Sequence, residues 1–365
     1  MNQLLQPLTF SRGPTMKNRF MLAPLTNTQS HSDGVLSDEE FTWLTMRAEG
    51  GFGLTMTCAA HVQAVGQGFP GQLGVFSDTH IEGLSHLSAT IKAYGSVAIC
   101  QLHHAGMRSP SELIGTDPVS PSGDEKTAAR ALSLTEVEQL VADFVAAAVR
   151  SEKAGFDGVE IHGAHSYILC QFLSSENNQR DDRYGGSLEN RSRIFFEILD
   201  GIREQCRDDF MVGVRLSPER FGLVLSEVQS VAQQLMNTGQ IDFLDMSLWD
   251  VFKEPNEEAM QGRTLMSYFT ELERGEVRLG VAGKIRTPEE AEKALAGGAD
   301  WIMLGRAAIL HHDFPNRYQE DPSFKPVENP ISRSHLVDEG LSDKFIAYME
   351  SWEGFVAAEQ YLGSE

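Results

Sequence analysis

Residues 135–167 read TEVEQLVADFVAAAVRSEKAGFDGVEIHGAHSY. Val137, Leu140, Val141, Phe144, Val145, Ala148 and Val149 recur at three and four residues, the period of one helix face. Thr135 and Glu138 have capping-box spacing at its start. Gly155 then stops the helix. The next run, Val159–His162, is short, and several runs of its kind along the chain are continuously apolar, as expected of strands buried on both faces of a parallel sheet. It ends in a polar cluster, His162-Gly163-Ala164-His165-Ser166-Tyr167. Helix, glycine stop, buried strand and polar strand end make one unit of an alternating α/β fold.

The same order recurs along the chain without copied sequence. Apolar runs stand at Phe20–Ala23, Gly53–Thr57, Val97–Leu102, Val159–His162, Met211–Leu216, Phe243–Met246, Val277–Ala282 and Trp301–Leu304. Ser37 and Glu40 open a helix before the second run. Thr287-Pro288-Glu289-Glu290 combines an N-cap, a proline at the first helical position and early acids. Asn190–Arg207 and Ser226–Thr238 are further helices, and Gly239 and Gly297-Gly298 stop helices before strands six and eight. Eight strands alternating with helices predict a (β/α)8 TIM barrel, here a single α/β domain over residues 1–365 with a short N-terminal cap and a C-terminal helical tail. A doubly wound sheet would carry a glycine-rich fingerprint after its first strand. Pro24-Leu25-Thr26 stands there instead. Three long connections, residues 105–133, 170–189 and 247–275, follow strands three, four and six, on the face where barrel active sites form.

Composition narrows the function classes. Of 365 residues 41% are hydrophobic and 22% charged, ordinary for a globular chain with one large core. Lys plus Arg is 30 and Asp plus Glu 52, a net charge of −22. So acidic a chain is a poor nucleic-acid binder. Cys58, Cys100, Cys170 and Cys206 stand singly, without metal-site spacing, and read as reduced thiols. No apolar run is long enough to span a membrane, and Met1 to Pro14 has no signal-peptide pattern. The expectation is a cytoplasmic protein without membrane or nucleic-acid partners.

The strand ends carry the chemistry. Gly283-Lys284 and Gly305-Arg306 follow strands seven and eight, where barrels commonly bind phosphate. Each pair alone reads as a turn glycine and a surface cation; both in register favour phosphate. His162 and His165 fit half a metal site, a hydrogen-bonded core pair, or two donors for an anionic or carbonyl oxygen. Gln101, Arg215 and Lys284 nearby disfavour a divalent metal. Gln101 and Arg215 together offer what a planar imide edge requires, and Arg215 would stabilise negative charge there. That is the requirement of a reduced flavin; an ion pair is the other reading of Arg215.

In this order the motifs are specific. They are Asn18-Arg19-Phe20 leading into Ala23-Pro24-Leu25-Thr26, Gln101-Leu102-x-His104-Ala105-Gly106, His162-Gly163-Ala164-His165-Ser166-Tyr167 followed by Gln171-Phe172-Leu173-Ser174, the run from Asn178 to Arg191 containing Tyr184-Gly185-Gly186-Ser187, and Leu304-Gly305-Arg306-Ala307. From Leu5 to about Pro315 the chain resembles the Old Yellow Enzyme family of FMN-dependent NAD(P)H oxidoreductases (ene-reductases). The resemblance implies FMN across the barrel mouth. The main chain of Ala23, Pro24 and Leu25 would line its ring, with Thr26 and Ala59 at one edge. Gln101 and Arg215 would hold the pyrimidine, and Gly283, Lys284, Gly305 and Arg306 the phosphate. His162 and His165 would grip a substrate carbonyl or a phenolate, and Tyr167 would protonate the α-carbon. NADPH or NADH would supply hydride and a small activated alkene would accept it, in ping-pong order.

The Asn178–Arg191 run suits an ion-paired structural loop, and His104 a support beneath Gln101. Trp249, Phe252 and Tyr268 suit either a pocket lid or a hydrophobic anchor. The sequence departs from some branches of the family: Thr26 stands where they have cysteine, Thr28 where they have tyrosine. The tail from Phe345 lacks the arginine with which some tetrameric members close a neighbouring site, so a homo-oligomer is allowed but not implied. The alternatives are a related flavin barrel with nitro-reductase or dehydrogenase chemistry, a non-catalytic flavin-binding protein, and a flavin-free phosphate-binding lyase.

Overall fold

The computed structural model describes residues 3–358. The outermost parts of the expected cap and tail lie outside them. Eight strands form a closed parallel barrel: β1 (Phe20–Leu22), β2 (Leu54–His61), β3 (Val97–His103), β4 (Gly158–Gly163), β5 (Met211–Leu216), β6 (Phe243–Ser247), β7 (Arg278–Ala282) and β8 (Trp301–Leu304). Each pairs with its sequence neighbours, and β1 closes the ring against β8. The expected runs coincide with these strands to within a few residues, except that β2 extends four residues beyond its apolar run.

The main helices that follow the strands are α1 (Asp38–Glu49), α2 (Ile81–Ala93), α3 (Leu134–Lys153), α4 (Leu188–Gln205), α5 (Leu225–Asn237), α6 (Pro288–Ala296) and, after β8, α7 (Arg306–Leu310). The cap of α3 corrects the sequence reading. Ser133, not Thr135, accepts the Glu136 N–H, and Glu136 answers the Ser133 N–H at 2.8 Å. Both pairs have the same spacing; Ser133 prevails because the chain is extended there. Ser37 caps α1, but Glu40 does not close a box. Its buried carboxyl turns inward to Asn27 Nδ2 at 3.0 Å and to Ser30 Oγ, bracing the loop after β1. Thr287 and Glu290 form the expected capping box with Pro288 inside it.

Two apolar layers follow from the two-residue alternation of strands. Outward residues pack under the helices. Inward residues, among them Leu54, Met56, Val97, Ile99, Met211, Phe243, Trp301 and Met303, fill the barrel. The N-terminal segment plugs the floor. Leu8 and Met16 bridge antiparallel, and the Phe10 ring packs edge-on against Trp301 at 5.5 Å. Two tail helices, α8 (Arg333–Asp338) and α9 (Asp343–Glu350), return over α1. Phe345 meets Trp43 edge-on at 5.3 Å, and Ser342 N donates to Gln29 Oε1 at 3.1 Å. Among the described residues no helix is long and apolar enough to cross a membrane.

Gly213 on β5 pairs with Phe243 on β6, and the Phe243 ring occupies the space a Cβ would need. Gly213→Ala is expected to cost about 1–3 kcal/mol through overpacking, read as an earlier midpoint in urea unfolding. Adding Phe243→Leu should recover part of that loss, because the two sites share one contact. Wild-type stability of Gly213→Ala would show an interior with slack.

Candidate active site

Inward alternation along β3, β4, β5 and β6 continues past the apolar layer into polar residues. Gln101 pairs with Glu160, His162 with Arg215, and Arg215 with Asp245 across successive strands. Polar side chains from four strands therefore meet in one layer at the C-terminal mouth. Above it opens a cavity of ≈ 290 Å³. Ala23, Pro24, Leu25, His165, Arg215, Gly283, Lys284, Gly305 and Arg306 all line it, as the sequence placed them.

Thr26, Ala59, Gln101, His162 and Tyr167 are not among the residues that line this cavity. Thr26 is half-buried directly after Leu25. An irregularity in β2 between Met56 and Ala59 leaves Ala59 the one residue of that strand not fully buried, opposite Gln101. Gln101 Nε2 donates to Glu160 Oε1 at 2.6 Å. His162 and His165 face each other, Nε2 to Nδ1, at 3.3 Å. One ring donates to the other, so His162 Nδ1 and the far nitrogen of His165 are the outward atoms of the pair. His162 Nδ1 is buried with no partner among the described residues. The Tyr167 ring lies 5.2 Å from His162 and edge-on to His103 at 4.2 Å, with the Arg108 guanidinium over it at 4.7 Å. Arg108 also donates to the His165 carbonyl at 2.7 Å.

The histidines are neutral. Burial pushes His165 down to about 3, with Arg215 and Arg108 adding to the effect. His162 is held well below the ordinary range by burial and then by His165 and His103. Burial raises Tyr167 and Arg108 partly opposes it, so the phenol keeps its proton at neutral pH.

The other end of the cavity is cationic. Arg306 is half-buried and meets no carboxylate among the described residues; burial and Arg286 lower its pKa. Arg286 lines the same cavity, and the sequence reading missed it. Its signal was its place in Gly283-Lys284-Ile285-Arg286. Two guanidiniums without acids beside two glycines fit a phosphate group. Gly283 has φ +153°, and a Cβ there would meet Asp250 N at 2.8 Å. Lys284 departs from expectation: its ammonium pairs with Asp250 at 3.3 Å, leaving its main chain nearer the glycine turn. Among the described residues Arg215 is not ion-paired; its Nε donates to Ser247 Oγ at 2.6 Å.

Three other readings are refined. His104 bonds Gln63 Oε1 at 3.1 Å and accepts from Gly106 N at 3.0 Å, so it braces loops; Glu160 is the support beneath Gln101. Trp249 lines the cavity and is 65% exposed, whereas Tyr268 is an anchor whose hydroxyl donates to Met260 O at 2.6 Å. Phe252 packs against the core, with Lys293 at 4.3 Å over its ring. Trp352 from the tail also lines the cavity, which no local pattern announced. The Asn178–Arg191 run is a structural brace: Arg180 pairs with Asp182 at 2.5 Å and Arg191 with Glu227 at 2.7 Å.

Comparison with known proteins identifies the family. Residues 3–323 match the NADH:flavin oxidoreductase / NADH oxidase family. The chain is 36% identical over 339 residues to the probable NADH-dependent flavin oxidoreductase YqiG of Bacillus subtilis, covering 90% of each chain. It is 35% identical to an NADPH dehydrogenase of Bacillus pumilus, over 87% of this chain and 95% of that one. The solved structure of the old yellow enzyme homologue from Zymomonas mobilis superposes with a TM-score of 0.79 at 29% identity, over 94% of this chain and 99% of that one. The chain belongs to the Old Yellow Enzyme family of FMN-dependent NAD(P)H oxidoreductases.

Proposed function

We propose that the protein reduces the C=C bond of small α,β-unsaturated carbonyl compounds with NAD(P)H, in two half-reactions that use one pocket in turn. The observation that carries this reading is the His162–His165 pair beside Tyr167, next to a cavity that also holds the guanidiniums of Arg286 and Arg306, which form no ion pair among the described residues. FMN, when bound, supplies a two-electron carrier that takes hydride from the nicotinamide and passes it to the alkene.

The chain's own residues do the rest. Ala23, Pro24 and Leu25 wall the ring site, with Thr26 and Ala59 at its edge. Gln101 and Arg215 hold the imide edge, and Arg215 balances negative charge there. Gly283, Lys284, Gly305 and Arg306 hold the phosphate, with Arg286 added to the set. A substrate carbonyl oxygen takes the place of one histidine as hydrogen-bond partner of the other. Neutral N–H donors strengthen their bonds as enolate charge grows, which is binding directed at the transition state. Tyr167 holds a proton available for the α-carbon at pH 7. Membership of the family removes the flavin-free lyase from the alternatives. Nitro-group reduction or dehydrogenation at the same site would show as turnover of those substrates and none of an enone.

Tyr167→Phe is expected to slow reoxidation by cyclohexenone by about 10²-fold or more and to leave reduction by NADPH nearly unchanged in stopped flow. Equal slowing of both steps would remove the donor role. His162→Ala and His165→Ala should each weaken phenol binding by roughly tenfold while FMN stays bound. Wild-type phenol affinity in both would dismiss the clamp.

The neutral histidines also set an acid limit. His61 and His311 are pushed down to about 4 by burial, and His104 and His165 to about 3. The unfolded chain protonates these residues near pH 6.5. Their contribution to stability is therefore complete above about pH 6.5 and is lost as pH falls toward 3. Thermal midpoints should drop steadily across that window and stay level from about pH 7 to 8. A flat profile down to pH 4 would mean that the rings are not held neutral.

A further inference from the structure

Below the mouth, β4 and β6 place two carboxyl groups, Glu160 and Asp245, in the barrel interior. Both are fully buried. Glu160 Oε1 accepts from Gln101 Nε2 at 2.6 Å. Glu160 Oε2 and both oxygens of Asp245 are buried and face no matched donor among the described residues. Asp245 is in register with Arg215 and His162, and Glu160 is the inward residue of β4 just before His162, so the two carboxyls share one part of the interior and act directly on each other. Across the pair, Arg215 stands next to Asp245 on β5, and the Trp301 indole lies beside Asp245 in the space over Gly280. Arg215 spends its Nε on Ser247 and forms no ion pair with either acid among the described residues.

Two acceptor-only groups do not face each other in a dry interior without a proton between them. The neighbours decide where it sits. Glu160 already accepts the Gln101 N–H through Oε1 at 2.6 Å, which leaves Oε2 as its oxygen without a partner among the described residues. Burial and the adjacent Glu160 push the Asp245 carboxyl well above the ordinary range, and Arg215 and the Trp301 indole only partly oppose them.

We propose that Asp245 is a neutral acid donating to an ionised Glu160, and that this pair positions Gln101: the Glu160 carboxylate commits the Gln101 amide nitrogen downward, so that its amide oxygen is the atom offered to the cofactor. A carboxylate accepts only from the amide nitrogen, so the orientation of the Gln101 side chain follows from the charge on Glu160. An acceptor from Gln101 beside donors from Arg215 is the complement of an imide edge, N–H next to C=O. The cofactor part rests on the function proposed above; the proton between the carboxyls does not. Glu160 and Asp245 are positioning residues and touch neither cofactor nor substrate.

The test uses infrared spectroscopy and FMN titration on the full chain. At neutral pH the wild type should show the C=O stretch of a protonated carboxyl group, sensitive to deuteration, and Asp245→Asn should lack it. The amide introduced by Asp245→Asn still donates to Glu160, so FMN affinity should stay within about twofold. Glu160→Gln offers both a donor and an acceptor, releases Gln101, and should weaken FMN binding by roughly tenfold and shift the flavin midpoint potential. Absence of the band in the wild type, or its survival in Asp245→Asn, overturns the shared proton. Wild-type FMN affinity and potential in Glu160→Gln overturn the positioning role. Should Glu160→Gln fail to fold, a large loss of FMN affinity in Asp245→Asn overturns that role instead. A chain that takes up no FMN defeats the cofactor reading while the band still decides the proton.

Discussion

Closure of eight parallel strands into one ring is the constraint on which the rest depends. It sends every strand C-terminus to the same face and, through two-residue alternation, every second side chain to the same axis. Packing then divides that axis. Phe243, Trp301, Met211 and the inserted Phe10 make a dry floor; Gln101, Glu160, His162, Arg215 and Asp245 form the layer above it. A polar layer in the interior stands only if its members satisfy one another, because an unpaired buried polar group costs about 1–3 kcal/mol. The floor excludes water from below, so those partners come from the protein or from what enters the mouth.

This division explains what the sequence disclosed and what it withheld. The strands were legible because burial on both faces requires continuous apolar runs, and the helix ends because capping uses few residue types. The strand-end residues were legible because His162, Arg215 and Arg306 are polar where an apolar run stops. Glu160 and Asp245 were not. Each is a lone acid inside an apolar run, and only register between non-adjacent strands shows that they meet. Trp352 is the extreme case: its place at the cavity depends on the tail crossing back over α1, a contact that no local pattern encodes. Ser133 and Thr135 offered equal local signals, and the backbone before α3 chose between them.

Charge is divided as sharply as polarity. The chain carries −22 overall, yet Arg215, Arg286 and Arg306 line one cavity and none of their guanidiniums is ion-paired to a carboxylate among the described residues. Lys284 and Lys253 also line it, but Asp250 and Glu219 hold them. A concave site walled by low dielectric focuses such a field, and a surrounding negative surface confines it. Anions are therefore drawn to the mouth and repelled elsewhere. FMN and the nicotinamide dinucleotides are both anionic through phosphate, so one field suits both.

Backbone strain follows the same geography. The described non-glycine residues with left-handed φ are Thr28, Ala128, His165, Ser166, Arg220, Phe221, Trp249 and Lys284. All of them follow strand C-termini, in the connections after β1, β3, β4, β5, β6 and β7. At the opposite face, where helices feed back into strands, the left-handed positions are glycines such as Gly155, Gly239 and Gly298. A side chain in this conformation costs about 1 kcal/mol or more. On the stability face, glycine avoids that cost. On the mouth face a glycine would remove the very group that the turn aims: the His165 ring toward His162, the Trp249 ring over the cavity, Lys284 toward Asp250. The barrel carries its strain where side-chain direction is the function, and the packed floor and capped helices beneath it make that strain tolerable.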